Sequence, residues 1–475
     1  MKKILAMLLA LSLVLALAAC GGKDPCESCV DENKDGVCDV CGEKVETPDP
    51  DPDLDPDPDN KTDYEKFMAA EIGDTVTVEA YVQDTQSWWD NKITIYAQSE
   101  HGGYLFYETV CSAEDAAKLV PGAKIKVTGP KAEYAGELEI SGGTFEFIEA
   151  EPYIAEPLDV TAKIGTDELI NYMNRKVLIK GAEVVAYDES GAAIEHRYGE
   201  PGDDIYFKVK VGDTVVNMCV EKYLTDNGTP VYEAVEALKV GDIINIECFL
   251  YWYNGANPHV TLVASESYYN FINAEIGDEI TVEAYVQGSQ SWWDNKITIY
   301  AEDRTGGYLF YETVCSADDA AKLVPGTKIK VTGAKAEYAG ELEISGGTLE
   351  IIEGADTYVA APIDVTGAVG TDYLADFMNR KAVIKGEVIA YDENGAAIEH
   401  RYGEPGDDIY YKIKVGDTVV NMCVEKYLTD DGTPTYEAVE ALAVGDVVEI
   451  ECFLYWYNGA NPHTISVTVV TPDAE

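Results

Sequence analysis

Residues 119–148 read LVPGAKIKVTGPKAEYAGELEISGGTFEFI, and the reading of the fold starts there. Lys124-Ile125-Lys126-Val127-Thr128 alternates polar and apolar residues with period two, the pattern of a half-buried strand. Glu137 to Ile140 and Phe145 to Ile148 alternate again and read together as the next strand. Pro121-Gly122 stops whatever precedes them. Upstream, Ser112-Ala113-Glu114-Asp115 opens a capped short helix through Leu119. Before it lie three more strand-like runs, Thr75 to Val82, Ile93 to Tyr96 and Gly103 to Tyr107. The order is therefore three strands, a short helix and two strands within residues 75–148.

That order resembles the OB-fold, a small Greek-key barrel. The likeness is to exported bacterial OB domains, through Gly73-Asp74, Gly102-Gly103-Tyr104, Leu119 to Gly129 and Tyr134 to Ile140. It covers nearly all of residues 70–149, and again of 274–353. The resemblance implies a binding face on strands two and three, framed by the one–two and four–five loops.

The pattern is written twice. QSWWDNKITIYA at 86–97 recurs at 290–301, AAIEHRYGEPGDDIY at 192–206 recurs at 396–410, and ECFLYWYNGANPH at 247–259 recurs at 451–463. A unit of about two hundred residues is a duplicated domain pair, too large for a solenoid repeat. In the second half of each unit, strand patterns at Lys176 to Val185, Ile205 to Val211, Thr214 to Met218, Val240 to Tyr253 and His259 to Val263 suggest another OB-type barrel with a long first loop. The expected body is all-β dominated: tandem barrels A1 (64–150), B1 (151–267), A2 (268–354) and B2 (355–475), each A barrel with one short helix.

Met1-Lys2-Lys3 and the apolar run Ile4 to Ala19 fit a signal peptide at 1–19. Leu17-Ala18-Ala19-Cys20-Gly21 resembles a bacterial lipobox, which implies lipid attachment at Cys20 and a place on the outer side of the cell membrane. Residues 20–46 carry two CxxC pairs, Cys26 with Cys29 and Cys38 with Cys41, a soft tetrahedral donor set for zinc. CDVCG resembles a rubredoxin-type knuckle, and the D-x-N-x-D-G-x-C-D-x-C-G segment resembles segments of Gram-positive surface proteins. Asp31, Asn33, Asp35 and Asp39 match part of a calcium loop, with Gly42 where an EF-hand has Glu, so calcium is the alternative metal. Two disulfides in an exported segment are the other reading. TPDPDPDLDPDPDN at 47–60 forms neither helix nor sheet and reads as a disordered acidic spacer within 47–63.

The chain has 475 residues with 34 Lys+Arg against 87 Asp+Glu, a net charge of −53. Much of that acidity lies in the barrels. It disfavours a grip on nucleic acid through phosphate neutralisation alone, and adsorption on anionic membranes by charge.

Aromatic residues mark the candidate binding faces: Trp88, Trp89, Tyr96, Tyr104 and Tyr134 in A1, and Trp292, Trp293, Tyr300, Tyr308 and Tyr338 in A2. Such faces stack on a sugar or a nucleobase. Trp252 and Trp456 are candidates in the B loops. No cofactor is expected in the barrels. Cys219 and Cys248 could bridge, or all barrel cysteines could be buried free thiols. His196-Arg197 reads as a solvated loop pair. The chain shows no H-E-x-x-H, G-x-S-x-G or similar catalytic motif.

These features point to a lipid-anchored, non-enzymatic surface protein whose barrels bind an extracellular oligosaccharide or protein. Single-stranded nucleic acid is the alternative, with Lys124, Lys126 and Lys131 as a local basic strip. An extracellular hydrolase ranks third.

Overall fold

The computed structural model describes residues 61–226 and 228–470. The lipid-attachment candidate Cys20 lies outside the described residues, as do the zinc candidates Cys26, Cys29, Cys38 and Cys41. The calcium candidates Asp31, Asn33, Asp35 and Asp39 and the Asp-Pro run at 47–60 also lie outside them. The four-cysteine zinc site and its calcium and disulfide alternatives therefore stay expectations from sequence. Among the described residues, those from Thr62 onward form one compact unit.

Barrel A1 runs α1 (Asp63–Ala69), β1 (Thr75–Thr85), β2 (Lys92–Gln98), β3 (Gly103–Val110), α2 (Ala113–Ala116), β4 (Lys124–Tyr134), β5 (Glu137–Ser141) and β6 (Thr144–Ile148). Its strands pair β1-β2-β3-β5-β4, and β4 returns to β1. The β3–β5 pair is parallel and the other pairs in the ring are antiparallel. Barrel B1 contains β7 (Leu158–Asp159), β8 (Lys176–Val185), β9 (Ile194–His196), β10 (Ile205–Val211), β11 (Thr214–Val220), α3 (Pro230–Glu236), β12 (Ile243–Phe249) and β13 (His259–Ala264). Its ring β8-β10-β11-β13-β12 closes the same way, with a parallel β11–β13 pair. Both barrels follow the OB strand order, with the helix between the third and fourth barrel strands. The second repeat builds A2 and B2 by the same pairings.

Period-two patterning fills the cores. In β1, Val78, Ala80 and Val82 point inward onto Ile93, Ile95, Phe106, Ile125, Val127 and Ile140. Glu79 and Tyr81 point outward and meet Lys124, by an ion pair and a ring contact respectively. Helix α2 is capped by the Ser112 hydroxyl, which accepts the Asp115 N–H, but it ends at Ala116 rather than Leu119. The predicted final strand of A1 is broken at Gly142 into β5 and β6, whereas A2 keeps one strand over Glu341–Ile351.

The helix count is also larger than expected. The B barrels have helices, α3 and its copy Pro434–Glu440, each capped by a Thr hydroxyl and started by Pro. Each A barrel gains a leading helix, α1 and α4 (Glu266–Asn273). Phe67 of α1 closes one end of the A1 core against Tyr104, at 5.5 Å between rings.

The pair Gly102-Gly103 has a packing reason. A Cβ on Gly102 would lie 2.2 Å from the Tyr64 ring, and one on Gly103 would lie 2.2 Å from the Asn174 carbonyl carbon in B1. Gly307 meets Asn379 in the same way in the second repeat. The A and B barrels approach so closely that one methyl group would part them. Gly103→Ala is therefore expected to lower unfolding free energy by about 1–3 kcal/mol, the usual cost of overpacking. Gly367→Ala, which meets nothing within 4 Å, should be nearly neutral in the same denaturant titration. Equal effects would contradict this packing account.

Candidate ligand-binding cleft

A buried seam joins A1 to B1. On β2, Ile93 and Ile95 face the A1 core, so Tyr96 points out of the barrel, where B1 covers it. Its ring stacks on Phe249 at 4.6 Å, and its hydroxyl is hydrogen-bonded to His259 Nδ1 at 2.6 Å. His259 stacks in turn on Tyr251 at 4.2 Å. Burial lowers the His259 pKa to about 3, so the imidazole is neutral. The Ser87 N–H donates to Tyr223 O, and the Asn254 N–H to Ala135 O, both at 2.7 Å. Glu137 finishes the seam. Its carboxyl accepts from Asn174 Nδ2 and from the Trp252 N–H, and burial raises its pKa to about 8.

Beside the seam the barrels part around a cleft of about 890 Å³, within the usual range for small-ligand sites. Its A1 wall comes from the β1–β2 hairpin (Trp89, Lys92), from β3 (Tyr107, Glu108), from the end of β4 (Tyr134) and from β5 (Glu139). Its B1 wall comes from Arg197, Asp204, Tyr206, Glu221 and Tyr223, and from the 251–259 loop. Asp90 and Asn91 take positive φ, the turn that lifts the two Trp residues away from the sheet. Trp89 and Tyr134 remain 59% and 60% exposed, and Tyr134 lies 6.0 Å from Tyr253 across the barrel boundary.

Two ion pairs cross the cleft lining, Lys92 with Glu108 at 2.7 Å and Arg197 with Asp204 at 2.9 Å. Glu139 and Glu221 have no such partner among the described residues. Burial raises both pKa values to about 7. The charge of Glu108 adds to the effect at Glu139, and that of Asp204 adds at Glu221.

The second repeat reproduces these parts. Tyr300 bonds His463 at 2.6 Å, Glu341 accepts the Trp456 N–H at 2.7 Å, and Tyr338 lies 6.0 Å from Tyr457. Lys296 pairs with Glu312, and Arg401 with Asp408.

Several sequence expectations are corrected. Tyr96 and Tyr300 are buried because the neighbouring B barrel covers the outward face of that strand. Tyr104 and Tyr308 are buried because they point inward onto the leading helices. These four tyrosines offer no exposed stacking face. Trp88 and Trp292 are exposed at the edge, but each indole N–H is tied to a carbonyl, of Cys111 and Cys315. Trp252 and Trp456 are half-buried, pack on the B cores and cover Gly136 and Gly340. Trp89 lines the first cleft with Tyr134. Trp293 and Tyr338 are exposed at the matching positions of the second repeat.

The basic strip does not form. Lys124 pairs with Glu79 and Lys126 with Glu146, and Lys131 is buried with its ammonium on the Met68 and Ala70 carbonyls. Cys219 and Cys248 are buried free thiols, as are the other four barrel cysteines. His196 is bonded to Glu236 at 2.9 Å.

Sequence reasoning missed Tyr107, Tyr223, Tyr251, Tyr253 and the four cleft carboxylates. They come from segments far apart in the chain. The available signal was that HRYGEPGDDIY and YWYNGANPH are both unchanged between repeats.

No protein-family model and no curated protein sequence matches the chain. Among solved structures, it is similar to a murine DNA-binding protein bound to double-stranded DNA, with 10% identity, a TM-score of 0.23, and coverage of 41% of this chain and 98% of that one. It is also similar to p202 HIN1 in complex with a 12-mer double-stranded DNA, with 16% identity, a TM-score of 0.20, and coverage of 40% and 90%. A deletion mutant of the single-stranded DNA-binding protein from Thermus aquaticus gives 9% identity, a TM-score of 0.17, and coverage of 42% and 98%. At these scores the likenesses say nothing about a ligand.

The buried carboxyls set the pH response of the fold. Glu137 and Glu341 have pKa values raised to about 8, and Glu139, Glu221, Glu302 and Glu425 to about 7. Each keeps its proton in the folded chain at a pH where the unfolded chain has lost it, so stability falls as pH rises through these values. His259 and His463, held neutral, oppose this only below their unfolded value of 6.5. The melting temperature should therefore fall between about pH 6.5 and 8.5, and Glu137→Gln with Glu341→Gln should flatten the fall. A melting temperature that rises across this window would contradict the assignment.

Proposed function

We propose that the protein is a non-enzymatic binding protein whose A–B clefts each hold a segment of oligosaccharide by stacking sugar rings on tyrosine and tryptophan faces. One observation carries this reading. Exposed aromatic rings from two barrels converge on a cleft whose cations are already paired with carboxylates. Sugar rings present apolar C–H faces to such rings and hydroxyls to the surrounding Asp, Glu and Asn groups. A polyanion would meet a surplus of carboxylates there. The lipobox-like Cys20 supports a lipid-anchored protein displayed outside a bacterial cell. In this reading Cys26, Cys29, Cys38 and Cys41 hold a zinc, or the neighbouring acids a calcium, ahead of the Asp-Pro spacer and the barrels.

Single-stranded nucleic acid is the second reading. The favouring observation is the stacking platform itself on an OB-type barrel, since bases stack on the same rings. The pairing of Lys124 and Lys126 and the burial of Lys131 weigh against it.

Calorimetric titration of the full chain with neutral tetrasaccharides and with a single-stranded oligonucleotide separates the two readings. Trp89→Ala and Tyr253→Ala, with Trp293→Ala and Tyr457→Ala, should weaken oligosaccharide binding at least about tenfold, roughly 1.4 kcal/mol. Unchanged affinity, or binding of the oligonucleotide alone with a steep salt dependence, overturns the glycan reading. Separately, Cys20→Ser should abolish incorporation of labelled fatty acid and release the protein from membranes. Continued labelling would refute the anchor.

A further inference from the structure

We infer that the glycan held in the A–B clefts carries free amino groups, whose ammonium charge is received by Glu139 and Glu221 in the first cleft and by Glu343 and Glu425 in the second. This rests on the binding reading above and sharpens its ligand class.

The charge balance of the cleft leads to it. Four carboxylates and two cations line the first cleft. The cations are both engaged, Lys92 with Glu108 and Arg197 with Asp204. The Ser141 hydroxyl offsets burial at Glu139 only in part, and Glu221 accepts backbone N–H groups from Tyr223 and Leu224. Among the described residues no cation stands within ion-pair distance of either. The second repeat repeats the balance. Lys296 and Arg401 are engaged with Glu312 and Asp408, and Glu343 and Glu425 are left over.

The groups facing these carboxylates do not relieve them. Glu139 is faced by Glu108, Tyr107, Tyr251 and the buried Glu137. Glu221 is faced by Asp204, Tyr96, Cys219 and Arg197, and Arg197 already bonds Asp204. A largely buried carboxylate without a counter-charge takes up a proton or a cationic ligand. The aromatic walls favour the same ligand, since tyrosine and tryptophan faces attract an ammonium by cation–π contact. Asn257 adds an acceptor in the cleft lining, its Oδ1 buried without a hydrogen-bond partner. An amino sugar offers a flat C–H face, N–H donors and positive charge in one ring, which matches the three features together. A lysine peptide offers the charge and N–H donors but no flat C–H face.

The test compares a glucosamine tetramer, an N-acetylglucosamine tetramer and tetralysine, each titrated calorimetrically into the full chain at pH 7 and low salt. The free-amine sugar is expected to bind at least tenfold tighter than its acetylated form, with the preference falling as salt rises. The variant E139Q/E221Q/E343Q/E425Q should bring the ratio close to one, and an unchanged far-UV circular dichroism spectrum with a cooperative thermal transition shows that its barrels remain folded. E139Q/E221Q alone should halve the number of tight sites. Equal affinities for the two sugars in the unsubstituted chain overturn this inference and leave the glycan reading standing. So does a failure of both glucosamine-based tetramers to bind while another neutral tetrasaccharide binds. Tetralysine binding tighter than either sugar assigns the clefts to basic peptides and overturns both. A quadruple variant that keeps the preference removes the carboxylates from the assignment.

Discussion

Tyr96 lies between two barrels, with its ring on Phe249 and its hydroxyl on His259, and neither barrel alone could bury it. It leaves A1 on the side that a lone OB barrel would give to solvent. B1 covers that side, and the match needs Gly103 to let the Asn174 backbone approach. Fully burying a ring such as Phe249 is worth about 1.5–3 kcal/mol, and the Tyr96–His259, Ser87–Tyr223 and Asn254–Ala135 hydrogen bonds give the contact its direction. With that direction fixed, the β1–β2 hairpin of A1 and the 251–259 loop of B1 stand facing each other. The cleft follows from the seam. Its repetition as Tyr300, Phe453 and His463 shows that the duplicated unit is the barrel pair.

The barrels were legible because strands announce themselves locally. Thr75 to Val82 and Lys124 to Thr128 alternate cleanly, and their inward residues are the core. The parallel pairing of β3 with β5 that closes the barrel is marked by no single residue. Helix α3 was missed although Thr229-Pro230 is an ordinary cap and start, because it occupies only seven residues between strands. The candidate site was half legible. Trp89 sits beside the turn at Asp90-Asn91 and Tyr134 ends β4 at the next turn, and these end positions expose them. Tyr96 failed because alternation shows which way a side chain points and not what covers it. Tyr104 failed because a residue at the start of a strand can close a barrel end. Of the B1 wall only the 251–259 loop was marked, through Trp252, since the other residues lie far along the chain from the A1 loops.

The charge of −53 acquires structure in this picture. Lysines of the barrel surface such as Lys124 are paired with neighbouring carboxylates, and Lys131 is turned inward onto carbonyls. The acids in excess are not all on the surface. Some stand in the seam, such as Glu137, whose pKa burial raises to about 8, and some stand in the first cleft without an ion-pair partner. The seam acids act as hydrogen-bond acceptors between barrels, and the cleft acids are the groups a ligand can neutralise. In the proposed reading, an OB-type frame is thereby turned from phosphate toward a ligand that is neutral or cationic and has flat faces.

The most direct measurement of the central claim is a crystal structure of the full chain soaked with a glucosamine tetramer. The account predicts sugar rings against Tyr134 and Tyr253, with an amino group at Glu139 or Glu221, and a second copy at the matching A2–B2 residues. An oligosaccharide bound elsewhere on the barrels, with both clefts empty, would contradict it.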